Sequence, residues 1–175
     1  RDRHYNMNFT EAMKMLLGED GQVALPMAKE KPKVEPKPFV LPESAGAMRR
    51  VYGYLLGHRK IDREVLTEFA RSRLIYEDTP YHNAVFVGID ENGIPRHAHK
   101  RSTNSDGKVF RINIEGSDPA HSFHWKGSSG TLFVFEAPID MLSYISMNRE
   151  NWQQHSYVAL CGVAEHAMLK RLEVE

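Results

Sequence analysis

Two carboxylates four residues apart, Glu136 and Asp140 in GTLFVFEAPID (residues 130–140), are the side chains whose type and spacing best suit chemistry. The apolar run Leu132-Phe133-Val134-Phe135 predicts a fully buried strand that surfaces at Glu136. Pro138 stops ladder pairing and starts a helix well, which puts Asp140 in a first turn where the helix dipole favours an acid. In open α/β sheets, ligands gather beyond the carboxyl ends of the strands. Two acids at such a place can hold Mg²⁺, which takes oxygen ligands and keeps several waters. On spacing alone, a first-turn acid beside a solvated glutamate is the simpler reading.

The other reactive side chains are less pointed. His97 and His99 stand at i, i+2 on a predicted strand, and His121 and His124 lie near a loop. Neither pair has the further ligands of a zinc site close in sequence, so surface or satisfied histidines are expected. Cys161 in YVALCGV reads as a buried, inert thiol. Between Arg96 and Lys126, six basic residues (Arg96, Lys100, Arg101, Lys108, Arg111, Lys126) face three acids (Asp106, Glu115, Asp118). Such a strand face suits a phosphate backbone passing an acid–metal site, and equally an ordinary solvated sheet face. Gly116-Ser117-Asp118 reads as an anion-binding turn or a plain turn.

Composition bounds the partners. Of 175 residues, 41% are hydrophobic and 26% charged, as in ordinary globular chains, and 23 Lys+Arg balance 23 Asp+Glu. Any nucleic-acid surface must therefore be local. One cysteine excludes an internal disulfide and a multi-cysteine zinc site, and fits a reducing cytoplasm. No apolar stretch approaches the ~20 residues of a membrane helix, so no membrane partner is expected. The chain starts at Arg1 without Met and ends in KRLEVE, as expected of a piece of a longer protein.

The elements that must position these groups fall into four stretches. Residues 6–18 carry a capping-box pattern, Asn8 with Glu11, ahead of apolar residues at helical spacing. Residues 22–42 alternate Pro26, Pro32, Pro36, Pro38 and Pro42 with Lys and Glu, the composition of a tether. Residues 48–78 read as two helices: Met48, Val51, Tyr52 and Leu55 make one stripe that Gly57 ends, and Asp62 caps a second carrying Val65, Leu66 and Phe69 inward. From residue 84 the period becomes two: strands at 84–89, 94–101 and 109–114, with a tight turn at 90–93. A strand at 132–136, a helix from Pro138 to about Met147, a strand at 157–160, Gly162 and a helix from Ala164 to about Leu172 give a β-α-β-α order, hence two parallel strands with a crossover helix.

Taken together, these segments resemble the Toprim family, the metal-dependent module of primases and topoisomerases. GTLFVFEAPIDMLS followed by YVALCGV looks like the first half of that domain. By this resemblance Glu136 is its first-strand glutamate, Asp140 the aspartate of the primase EGYxD form, and Gly162 the glycine after the second strand. YLLGHRKIDREVLTEFA (54–70) is similar to the primase YLxxRGI segment, and NAVFVGIDENGIPRHAHKRST to the primase meander ending in an arginine, here Arg101. FHWKG (123–127) resembles the segment before the Toprim strand and makes Lys126 its lysine. The whole is most similar to a domain of unknown function that precedes Toprim in proteins of mobile elements. NMNFTEAMKMLLGE resembles the tail of the primase zinc-binding domain. EAPID departs from the usual glycine and aromatic after the glutamate, and the Toprim Asp-x-Asp and the zinc ligands are not in this sequence.

The resemblance implies an α/β (α+β overall) chain, with N-terminal helices and an antiparallel meander packed on a partial Rossmann-like β-α-β-α unit. The implied divisions are 1–21 as the tail of a zinc-binding-type domain, 22–42 as linker, 43–128 as a primase-like subdomain and 129–175 as partial Toprim. The implied function is Mg²⁺- or Mn²⁺-dependent nucleotidyl transfer on DNA, in replication or transfer of a mobile element. Glu136 and Asp140 are the implied catalytic and metal-binding residues. Arg101 and Lys126, with Lys100 and Arg111, are the implied phosphate-binding residues, and zinc belongs only to an upstream domain. Partners would be DNA template, nucleotides, and a helicase or other replication proteins. A fragment with half the acids should bind Mg²⁺ weakly and be inactive alone. A Toprim nuclease and a non-catalytic nucleic-acid-binding module remain the alternatives.

Overall fold

The computed structural model describes residues 37–79, 81–104, 109–162 and 165–174. The helix expected at 6–18 and most of the proline-rich tether lie outside the described residues. The described chain forms two sheets with four α-helices. α1 (Arg49–Tyr52) runs directly into a π-turn (Gly53–His58), and α2 spans Arg63–Arg71. The first sheet has the order β1 (Ile75–Glu77), β2 (Ala84–Ile89), β3 (Pro95–Arg101), β4 (Arg111–Asn113), all antiparallel. The second has the order β5 (His124–Trp125), β7 (Ser156–Ala159), β6 (Leu132–Phe135), with β5 antiparallel and β6 parallel to β7. α3 (Pro138–Met147) is the crossover between the parallel strands, and α4 (His166–Val174) follows β7.

The alternation along β2 explains how the first sheet is covered. Ala84 and Phe86 point into a core shared with the helices, while Val85 and Val87 pack with Ala98 on the other face. Phe39 and Leu41, the apolar residues that end the proline-rich stretch, close this second face. Tyr76 Oη donates to the Pro42 carbonyl at 2.6 Å and so fastens that extended segment to β1. Gly116 has φ +79°, and a Cβ there would lie 2.5 Å from the Lys37 carbonyl, so the strap crosses a position that only glycine fills. The two sheets meet through aromatics: Phe69 of α2 lies 5.3 Å from Phe123, 5.2 Å from Trp125 and 5.6 Å from Trp152.

Several sequence expectations need correction. Leu132–Phe135 is not fully buried: among the described residues β6 is an edge strand with one neighbour, and Val134 is 39% exposed. Gly57 does not end the first helix; the chain winds through it as a π-turn and leaves at Lys60, whose φ is +57°. The stretch after α2 is a strand, β1, not a helical continuation, and the third meander strand is only Arg111–Asn113. β5 went unseen because two residues carry no period. Asp62 does cap α2, accepting from the Glu64 and Val65 amides, and Val65, Leu66 and Phe69 are buried as their spacing predicts.

Candidate anion and metal site

The period of two along β3 sorts its basic residues. His99 and Arg101 lie on one face with Arg111 and Asn113 of β4, which are their register partners. Lys100 points the other way and pairs with the buried Asp78 at 3.2 Å. Lys126, on the connection after β5, donates to the Val174 carbonyl at 2.9 Å. Thus Arg101 and Arg111 come together, while Lys100 and Lys126 stand apart from them. Gly162 lies in the bend after β7, where the positive φ belongs to Cys161 (+53°) rather than to the glycine.

A cavity of about 220 Å³ opens on this face, between the first sheet and the start of α3. Arg59, His99, Arg101, Arg111 and Asp140 line it, over a floor of Phe86 and Ala137 to Ile139. Pro138 at the head of α3 and Asp140 in its first turn stand as the spacing predicts. Glu136, just beyond β6, is exposed and reaches Arg111 at 3.8 Å. Both side chains of that pair are more than half exposed, so the contact is weak and readily exchanged.

Tyr54 organises the cationic wall. Its buried hydroxyl oxygen accepts from Arg59 Nε at 3.0 Å and from Arg101 Nε at 2.7 Å. A phenol oxygen has two lone pairs, and both are engaged. The π-turn makes this possible: the Arg59 amide donates to the Tyr54 carbonyl at 3.1 Å, which folds Arg59 back over the Tyr54 ring at 5.6 Å. Among the described residues no carboxylate lies within 4 Å of Arg59 or Arg101 in an ion pair. Two guanidinium groups fixed by a neutral oxygen, with their outer N–H groups uncommitted, are preorganised for an anion.

His99 is tied across the site. Its Nδ1 lies 2.7 Å from Asn113 Oδ1, and Asn113 Nδ2 donates to the Cys161 carbonyl at 3.1 Å. The Cys161 amide in turn donates to the Glu136 carbonyl at 3.0 Å. This chain joins the meander to the loop after β7 and to the acid after β6. Burial holds His99 below the ordinary histidine value, Asn113 opposes that shift, and Arg101 and Arg111 add to it. Burial pushes the Cys161 thiol up to about 12, as expected for an inert cysteine.

The sequence reading missed Tyr54, Arg59 and Asn113, and named His99 only as a surface or satisfied histidine. Tyr54 and Arg59 are five apart, a spacing that α-helical geometry does not bring together, so only the π-turn reveals the pair. The strand period puts His99 on the face of Arg101, which is the signal that it belongs to the site.

Among the described residues no three His, Cys, Asp or Glu side chains converge as a metal cluster. Of the two expected acids, Asp140 lines the cavity and Glu136 does not; both are exposed oxygen donors. That set fits Mg²⁺, which binds through one or two carboxylates and fills its shell with water, and does not fit zinc.

Residues 53–137 match the family described as a protein of unknown function (DUF3991), and residues 133–175 match the family described as Toprim-like. No curated protein matches the chain. Among solved structures, the chain is similar to a DNA primase domain from Pseudomonas aeruginosa, at 15% identity and a TM-score of 0.36. That match covers 69% of this chain, and this chain spans 41% of the length of that one. Residues 133–175 are thus similar to the Toprim-like family, and the region that matches DUF3991 lies on their N-terminal side.

Proposed function

We propose that this chain is part of a primase-like protein that acts on DNA, and that the cavity holds a phosphate group of nucleotide or template beside the acids of the Toprim-like segment. One observation carries the reading. Arg59 and Arg101 are fixed by Tyr54 without a carboxylate partner among the described residues, and they share the cavity with Asp140. Arg59 and Arg101 bind and orient the phosphate, and Arg111 can exchange Glu136 for it. Glu136 and Asp140 would hold the divalent cation that Toprim domains generally bind. When bound, that ion polarises phosphoryl oxygens and lowers the pKa of an attacking hydroxyl. The favoured reaction is nucleotidyl transfer in replication or transfer of a mobile element, and the same half-site would serve a Toprim nuclease. Lys100 and Lys126 would contribute to DNA binding outside the cavity.

The test is primer synthesis by the full-length parent protein with Mg²⁺ or Mn²⁺, in wild type and Glu136→Gln. Loss of synthesis in the variant supports the assignment, and equal synthesis rejects it. A second reading, a nucleic-acid-binding module without catalysis, draws on the Arg111–Glu136 contact, which sets a cation beside one of the two acids. It predicts salt-sensitive DNA binding that Mg²⁺ leaves unchanged.

A further inference from the structure

We propose that the ligand of this cavity carries a sugar hydroxyl beside its phosphate, and that Nε2 of His99 accepts the hydrogen of that hydroxyl. The inference rests on the phosphate-binding reading above and adds the part of the ligand that an arginine wall cannot read.

The tautomer follows from the hydrogen-bond chain. The Cys161 carbonyl can only accept, so Asn113 must turn its Nδ2 toward it. The Asn113 oxygen then faces His99 Nδ1, which must carry a proton to donate across the 2.7 Å contact. In the neutral ring this leaves Nε2 as a lone-pair acceptor. His99 is 6% exposed and lines the cavity. No hydrogen bond engages its Nε2 among the described residues, and that atom is not one of the buried unpaired nitrogens.

A site for bare phosphate has no use for such a group. Phosphate oxygens accept, and a lone pair beside them repels. Arg59, Arg101 and Arg111 supply donors, so the acceptor at His99 calls for a donor on the ligand itself. The volume limits the choice: about 220 Å³ is smaller than the ~300–1,000 Å³ of whole-ligand pockets. It suits a sugar–phosphate portion, with the base outside. A hydroxyl on that sugar is the donor nearest to the phosphate. The site is therefore one for a nucleotide with a free 2′ or 3′ hydroxyl, and it discriminates against nucleotides that lack it.

The experiment measures dissociation constants of the full chain for inorganic triphosphate, ATP, 2′-deoxy-ATP and 3′-deoxy-ATP. The proteins are wild type, His99→Leu, and the exposed-site variant Asn113→Ala. In wild type, ATP should bind about 3- to 10-fold more tightly than one of the deoxy forms, which identifies the hydroxyl. His99→Leu should abolish that preference, with triphosphate bound at least as tightly as by wild type because the repelling lone pair is gone. Asn113→Ala, which frees the ring to take the other tautomer, should reduce the preference, and it serves as the deciding variant if His99→Leu does not fold. Equal binding of ATP and both deoxy forms overturns the inference while leaving the phosphate site intact. A preference that survives in both variants also overturns it. Failure of triphosphate to bind wild type, or equal binding in Arg59→Ala, refutes the phosphate-binding reading, and this inference falls with it.

Discussion

At the scale of single residues, Tyr54 is the group on which the cationic wall depends. It touches no ligand in this reading; it fixes two that do. Removing its hydroxyl leaves the ring in the core and frees Arg59 Nε and Arg101 Nε. A long side chain carries about 2 kcal/mol of rotamer entropy, some of which ligand binding must then supply. Tyr54→Phe should therefore weaken binding of inorganic triphosphate roughly 3- to 10-fold, with a loss of stability of about 1 kcal/mol or less. Titration calorimetry beside urea unfolding separates the two effects. Unchanged affinity would mean that the guanidiniums hold position without the phenol. Arg101→Ala should cost more affinity and flatten the salt dependence of DNA binding, because it removes a charge rather than its orientation.

At the scale of elements, α2 and α3 meet through one capping residue. Asp62 caps α2 with its Oδ1, its amide donates to Ser146 Oγ at 2.9 Å, and its Oδ2 pairs with Arg149 at 3.0 Å. Asp62→Ala should cost about 1–2 kcal/mol in urea unfolding, most of it from the lost cap. Asp62→Asn, which keeps the acceptor, should recover most of that. Gly88→Ala should be far worse. A Cβ there would come 1.7 Å from the His121 carbonyl, which cannot retreat without moving the connection into β5, so failure to yield folded protein is expected. The capped helix, the strand at 84–89 and the parallel β-α-β order were legible because each rests on a local period or a cap. The site was only half legible. Glu136, Asp140, Arg101 and Arg111 are readable as types at element ends, but their grouping needs the π-turn that folds Arg59 onto Tyr54. It also needs the register that sets Arg101 opposite Arg111. Neither leaves a local signal. The exposure of β6 was misread because an apolar run does not say whether a strand is central or at an edge.

At the scale of the whole molecule, two buried histidines make stability depend on pH. His97 of β3 and His124 of β5 are each lowered to about 4, in both cases chiefly by burial. His99 adds to the lowering at His97, and Arg171 adds to it at His124. Among the described residues His97 Nδ1 is buried without a partner, so charging it there has no compensation from a hydrogen bond. The unfolded chain takes up a proton at each near the ordinary value of 6.5, and the folded chain only near 4. Between those values the unfolded state holds more protons, so stability rises with pH. The contribution is complete above about 6.5, is lost as pH falls toward 4, and changes no further below that. It is on the order of 3 kcal/mol per histidine. Asp90 is also lowered, mainly by the Ile94 amide, but an acid whose ordinary value is 3.8 titrates below this window. Urea midpoints measured from pH 7.5 to 4.5 should fall steadily, and His97→Leu should remove a substantial part of the slope, with His124 and the also lowered His99 keeping the rest. A midpoint that is flat across this range, or a variant slope equal to wild type, would mean that these rings are solvated in the folded chain.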